Sequence, residues 1–154
     1  MRILLVVDSL EVGGAERHVT DLALSLHCSG NDVAVACASG GPLLLELQAA
    51  NVPVHVLLGR PVKHRVALRF ARKLREVLRD GDYDLVHAHL YSSAVAAALA
   101  TIGTDCARVV TVHSEGLWQG RIARAISGRV YRAADVLVAV SEPIARHLRV
   151  RYGI

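Results

Sequence analysis

Three histidines have the spacing that most invites chemistry. His87 and His89 are two residues apart, so they share one face of an extended chain, and His113 ends a second apolar run. Histidine changes charge near neutral pH and can move a proton, hold a metal or bind a hydroxyl. A closed zinc site needs about four ligands. No cysteine or carboxylate stands at a ligand spacing beside these three, so no metal site is expected. His87 lies inside its apolar run and reads as a core histidine bonded to backbone. His89 and His113 follow the last apolar residue of their runs and read as substrate contacts.

Gly13 and Gly14 precede a helical pattern that opens Ala15-Glu16-Arg17-His18. Paired glycines let backbone N–H groups approach a ligand closely, and a helix N-terminus favours an anion such as phosphate. A plain loop-to-helix turn is the simpler explanation of the same pair. Neither GxGxxG nor GxxxxGK[ST] occurs, which speaks against a nicotinamide-dependent oxidoreductase and a phosphate-loop enzyme. Ser114 beside His113 lacks the GxSxG elbow of a serine nucleophile. Asp8, Glu115 and Glu142 read as candidate bases or helix caps, Glu142 after Ser141 most simply as a capping feature.

The elements that must position these groups alternate regularly. Runs at 3–7, 33–37, 54–57, 84–87, 109–112 and 136–140 read as strands, nearly all apolar on both faces. Between and after them, helical patterns run at about 15–29, 42–50, 63–79, 91–103, 119–133 and 142–152. Strands apolar on both faces belong to a parallel sheet covered by helices. The order predicts an α/β fold: a Rossmann-like, doubly wound parallel sheet in three αβα layers with right-handed crossovers. Ligands of such sheets bind beyond the carboxyl ends of the strands, where the polar stretches DSLEVGGAER, HAHLYSS, HSEG and SEP fall. In the third helix Val66, Phe70, Leu74, Val77 and Leu78 predict a core face with Arg65, Arg69, Arg72 and Arg79 as a basic rim.

Composition narrows the partners. The chain has 154 residues, 53% hydrophobic and 21% charged, enough for one self-contained core and too apolar for disorder. Aromatic content of 4% leaves few base-stacking platforms, and no basic–aromatic interleaving points to nucleic acid. The net charge of +4 is carried by arginine, with further clusters at Arg121, Arg124, Arg129, Arg132, Arg146, Arg149 and Arg151. These read either as a solvated face or as a surface for anionic lipid. Cys28, Cys37 and Cys106 form no CxxC pair, which suits a reducing, cytoplasmic interior. The opening apolar run is too short for a signal peptide, and the longest uncharged stretch, 90–104, falls short of the ~18 to 20 residues of a membrane span. A cytoplasmic protein is expected, with peripheral membrane contact open.

The stretches GGAERHVTDLALSL, DLVHAHLYSSAVAAALA, VVTVHS and ADVLVAVSEPIARHLRVRYGI, in that order, resemble the N-terminal domain of GT-B glycosyltransferases, and within them the retaining family four. The resemblance implies a domain over residues 1–154 that binds the acceptor, a sugar, lipid or small molecule. It also implies a nucleotide-diphosphate sugar as donor and no metal. Gly13 and Gly14 match the glycine loop that lies against the donor diphosphate and sugar. His113 matches the histidine that reaches the donor sugar at the reaction centre. His89, Tyr91, Ser92 and Ser114 fall on acceptor-lining positions. The family's acidic Glu-x7-Glu motif and its diphosphate-binding basic pair belong to a C-terminal donor domain, which has no counterpart here. The expectation is therefore an acceptor half that transfers no sugar alone, or a non-catalytic binding or membrane-docking module on the same fold.

Overall fold

The computed structural model describes residues 1–62, 64, 66–116 and 120–154. Six parallel strands, β1 (Arg2–Ser9), β2 (Asp32–Ser39), β3 (Val54–Val56), β4 (Leu85–His89), β5 (Ala107–Val112) and β6 (Val136–Ala139), form one sheet in the order β3-β2-β1-β4-β5-β6. The helices between and after them are α1 (Gly14–Cys28), α2 (Leu43–Ala49), α3 (Leu68–Gly81), α4 (Tyr91–Ala100), α5 (Arg121–Arg132) and α6 (Glu142–Tyr152). This is the expected Rossmann-like arrangement.

Strand periodicity sorts the core into two layers. Leu4 and Val6 of β1 turn to one face with Ala36, Val86 and Val110, against Phe70 and Leu74 of α3, Ala97 of α4, Val130 of α5 and Leu148 of α6. Ile3, Leu5 and Val7 turn to the other face with Val33 and Val35, against Val19 and Ala23 of α1 and Leu47 of α2. Successive side chains of a strand point to opposite faces, so a strand buried on both sides needs an unbroken apolar run. β1, paired with β2 on one side and β4 on the other, has that run.

The boundaries differ from the sequence reading where tertiary pairing intervenes. β4 runs on through His89, because His87 and His89 pair in register with Val109 and Thr111 of β5. The third helix begins at Leu68, so Val66, 44% exposed, lies outside it and does not join the core face. Lys63 and Arg65 of the expected helix start lie outside the described residues, as does Gln119 ahead of α5. α4 stops at Ala100, where the Thr101 hydroxyl donates to the Ala97 carbonyl. The basic rim of α3 is only partly paired: Arg72 and Lys73 share Glu76, and Arg79 pairs with Asp80.

Candidate functional site

The sheet order places the carboxyl ends of β1, β4 and β5 side by side, and the singled-out residues meet there. Asp8 is the penultimate residue of β1, His89 ends β4, and His113 follows β5. In register, Leu5, His87 and Val109 stand on the face that α1 covers.

Four imidazoles gather on this face. His89 Nδ1 and His113 Nε2 lie 3.0 Å apart, and His87 Nε2 lies 2.7 Å from the Thr111 hydroxyl. The rings of His87 and His89 are stacked at 4.2 Å between centroids, tilted by 34°. His18 of α1 closes the group, its ring 5.6 Å from His89 and 5.4 Å from His113. Burial, reinforced by the neighbouring imidazoles, holds His89 down to about 2 and His87 to about 4. Burial and then His18 hold His113 to about 4. The sequence-predicted histidines are thus neutral at physiological pH. Among the described residues no group of three His, Cys, Asp or Glu is arranged to hold a metal ion.

Two roles change. His89 lies within the strand rather than beyond it and is fully buried, so it backs the wall of the cleft and does not form its surface. His87 bonds the Thr111 side chain instead of backbone, because the neighbouring strand brings that hydroxyl into reach. Ser92 is likewise buried, its hydroxyl donating to the Val62 carbonyl at 2.8 Å, which ties the loop before α3 to the start of α4. Tyr91, His113 and the exposed Ser114 line a small cavity of about 50 Å³ with Asp8, Leu90 and Tyr131.

Asp8 and Leu90 also border a larger cavity of about 490 Å³ that reaches Gly13. Its rim carries Glu11 and Glu16, so carboxylates dominate this side of the groove. Gly13 is the N-cap of α1 and its carbonyl accepts the Arg17 N–H at 2.8 Å. The Glu16 carboxylate folds back over Gly13, where a side chain on residue 13 would collide with it. An acid in the first turn complements the positive end of the helix, the place an anionic ligand would take.

Asp8 holds the start of α4. One carboxylate oxygen accepts the Ser93 N–H at 2.9 Å and the Ser93 hydroxyl at 2.6 Å. Burial raises its pKa against the lowering effect of these bonds. Asp8→Ala strands a buried donor at a helix N-terminus and is expected to cost about 2 kcal/mol. Asp8→Asn keeps an acceptor and is expected to cost less than half of that; equal losses by denaturant titration would refute this role.

Glu115 approaches His147 at 4.0 Å, and Glu142, in the first turn of α6, makes no cap but accepts from Arg149 at 3.0 Å. Sequence reasoning overlooked three contributors. His18 had a signal, one helical turn after Gly14. Gly41, in the Gly-Gly-Pro turn after β2, lies against the backbone of Leu10 and Glu11. Leu90 has φ 72° and ψ 164°, a region that favours glycine, and a leucine does not advertise it.

A doubly wound parallel sheet with a glycine loop, histidines and hydroxyls massed at its carboxyl ends defines a Rossmann-like domain whose ligands bind at that edge. The model of Glycosyltransferase Family 4 matches residues 12–154, and the chain belongs to that family. Comparison with curated proteins finds no match. Among solved structures, a glycosyltransferase from Rickettsia africae is 24% identical with TM-score 0.76, over 99% of this chain and 40% of that one. Anabaena HepE, solved in complex with UDP-glucose, is 21% identical with TM-score 0.81, over 98% and 40%. Sucrose-phosphate synthase from Thermosynechococcus elongatus is 17% identical with TM-score 0.75, over 97% and 44%. The chain thus spans about 40% of the length of the first of these proteins, and the likeness to all three is one of fold.

Proposed function

We propose that this chain is the acceptor-binding half of a retaining glycosyltransferase that takes its sugar from a nucleotide-diphosphate sugar. The observation that supports this most is the meeting of Gly13, Tyr91, His113 and Ser114 around adjoining cavities that share Asp8 and Leu90. Tyr91 and Ser114 are the accessible acceptor contacts, His89 and Ser92 the residues behind them. His113 would meet the donor sugar, and the backbone at Gly13 and Gly14 its diphosphate. Carboxylates accept hydrogen bonds from hydroxyls, so Asp8, Glu11 and Glu16 favour a hydroxyl-rich acceptor, and the Glu16 side chain over Gly13 has to turn aside for the diphosphate. UDP-glucose, held by HepE in its crystal structure, is the first donor to try.

Positioning a donor and stabilising its departing diphosphate need groups on both sides of a closed cleft. The chain alone is therefore expected to release no nucleotide from donor and acceptor above background in a coupled assay. Fusing the donor-binding half of a family member to its C-terminus is expected to restore transfer, and His113→Ala in that fusion to lower kcat by about 100-fold. A fusion indifferent to His113→Ala would favour the non-catalytic binding reading.

Membrane docking is a second reading with its own observation. Arg121, Arg124, Arg146 and Arg151 line grooves between α5 and α6 and meet no carboxylate at ion-pair distance among the described residues. Ile122 and Val150 stand beside them, 79% and 84% exposed. Arg132 and Arg149, by contrast, are engaged with the Tyr152 carbonyl and Glu142. Among the described residues no helix is long and apolar enough to cross a membrane. An arginine near an anionic bilayer contributes about 1 kcal/mol. The chain is expected to sediment with anionic vesicles, and Arg124→Gln/Arg151→Gln to weaken this by roughly 30-fold. Equal, weak binding to anionic and neutral vesicles would remove the case.

A further inference from the structure

We propose that His89 is the positioning residue for His113: it donates from Nδ1 to His113 Nε2 and so holds His113 with its own proton on Nδ1. One proton lies between two nitrogens 3.0 Å apart, and it belongs to one ring or the other. If His113 were the donor, neutral His89 would carry its proton on Nε2. That atom is fully buried and has no hydrogen-bond partner among the described residues. A buried N–H without an acceptor is rarer and more costly than a buried lone pair without a donor. The cheaper orphan is the lone pair, which puts the proton of His89 on Nδ1.

The consequence passes to His113. Its Nε2 is the acceptor, so the single proton of the neutral ring sits on Nδ1, and the half-buried imidazole offers a fixed N–H donor beside Tyr91 and Ser114. The ring of His89 is held from behind by the stacked His87, itself anchored on Thr111, and His18 stands over both members of the pair. His18 and His87 are the titratable groups against the pair, and burial keeps both members neutral at pH 7.5. On the reading proposed above, this N–H is aimed at an oxygen of the donor sugar. That step rests on the proposed function; the tautomer does not.

Long-range proton–nitrogen spectra of the full 154-residue chain, labelled with ¹⁵N and recorded at pH 7.5, test this directly. The expected result is a pyrrole-type Nδ1 and pyridine-type Nε2 on His113, with a nitrogen–nitrogen coupling to His89 Nδ1 across the bond. His89→Leu is expected to abolish the coupling and move the His113 proton toward Nε2. Wild-type His113 protonated on Nε2, or an unchanged His113 tautomer in a folded His89→Leu, overturns the proposal and leaves the proposed function standing. If His89→Leu does not fold, the wild-type spectrum decides alone. An inactive fusion enzyme would overturn the proposed function, and the spectra would still decide this one.

Discussion

Acidification from pH 7 to about 4.5 is expected to remove on the order of 5 kcal/mol of folding stability, enough to unfold a domain of ordinary stability. The cause is the buried histidine group. A histidine whose folded pKa is depressed contributes stability above its unfolded value of 6.5 and loses it as pH falls toward the folded value. His87 and His113 are held to about 4 and His89 to about 2, so the window runs from about 6.5 down to 4 for the first two and on to about 2 for His89. Each pKa unit corresponds to about 1.4 kcal/mol. His87 and His89 together supply most of the total; His113, more open to solvent, is screened and supplies less. Asp8 opposes them. Its raised pKa gives stability that is present at low pH and lost as pH rises, so it offsets part of the fall.

Denaturant titrations at several pH values read this as a slope set by the extra protons of the unfolded chain. His87→Gln retains a partner for Thr111 but cannot titrate, and is expected to flatten the slope by up to one proton, about 1.4 kcal/mol per pH unit. Stability constant between pH 7 and 4.5 would contradict the burial of these rings.

Gly41→Ala is expected to cost on the order of 3 kcal/mol and to displace the loop that carries Gly13 and Gly14. A Cβ on residue 41 would overlap the Leu10 carbonyl and fall 2.5 Å from the Glu11 backbone nitrogen. Those are backbone atoms and cannot turn aside as a side chain would. The two loops are also bonded there, Leu10 N–H donating to the Ser39 carbonyl and Leu43 N–H to the Leu10 carbonyl, at 3.2 and 3.1 Å. Relieving the overlap therefore pulls apart the turn after β1 and the turn after β2. Gly13→Ala makes a useful contrast, since its Cβ meets only the movable Glu16 side chain, and a far smaller loss is expected. Similar thermal midpoints for Gly41→Ala and wild type would show that the loops are looser than drawn.

The fold was legible because its signals are local. Val33, Val35 and Cys37 alternate with alanines in a run apolar on both faces, and such a run has few uses other than a covered parallel strand. Phe70, Leu74 and Leu78 recur at helical spacing and are buried together. Helix starts were harder: Val66 stands at helical spacing from Phe70 yet lies ahead of α3, 44% exposed. The site was legible in part. Gly13, Tyr91, His113 and Ser114 fall after strands, and a doubly wound sheet must bring strand ends to one edge.

What the sequence determined by itself is therefore the sheet, its alternating helices, and the set of polar groups delivered to its carboxyl edge. Tertiary structure alone decided which of them face the cleft. His89 and His113 were expected in the same role, and β5 turned one into the support of the other by carrying the pairing through Thr111. Asp8 and Ser93, separated by 85 positions, meet only because β1 and β4 are neighbours in the sheet. Gly41 matters only because β2 flanks β1 on the other side. Periodicity reports how each segment meets a core it does not name. Burial, tautomer and close backbone approach depend on which segments become neighbours, and strand order settles that.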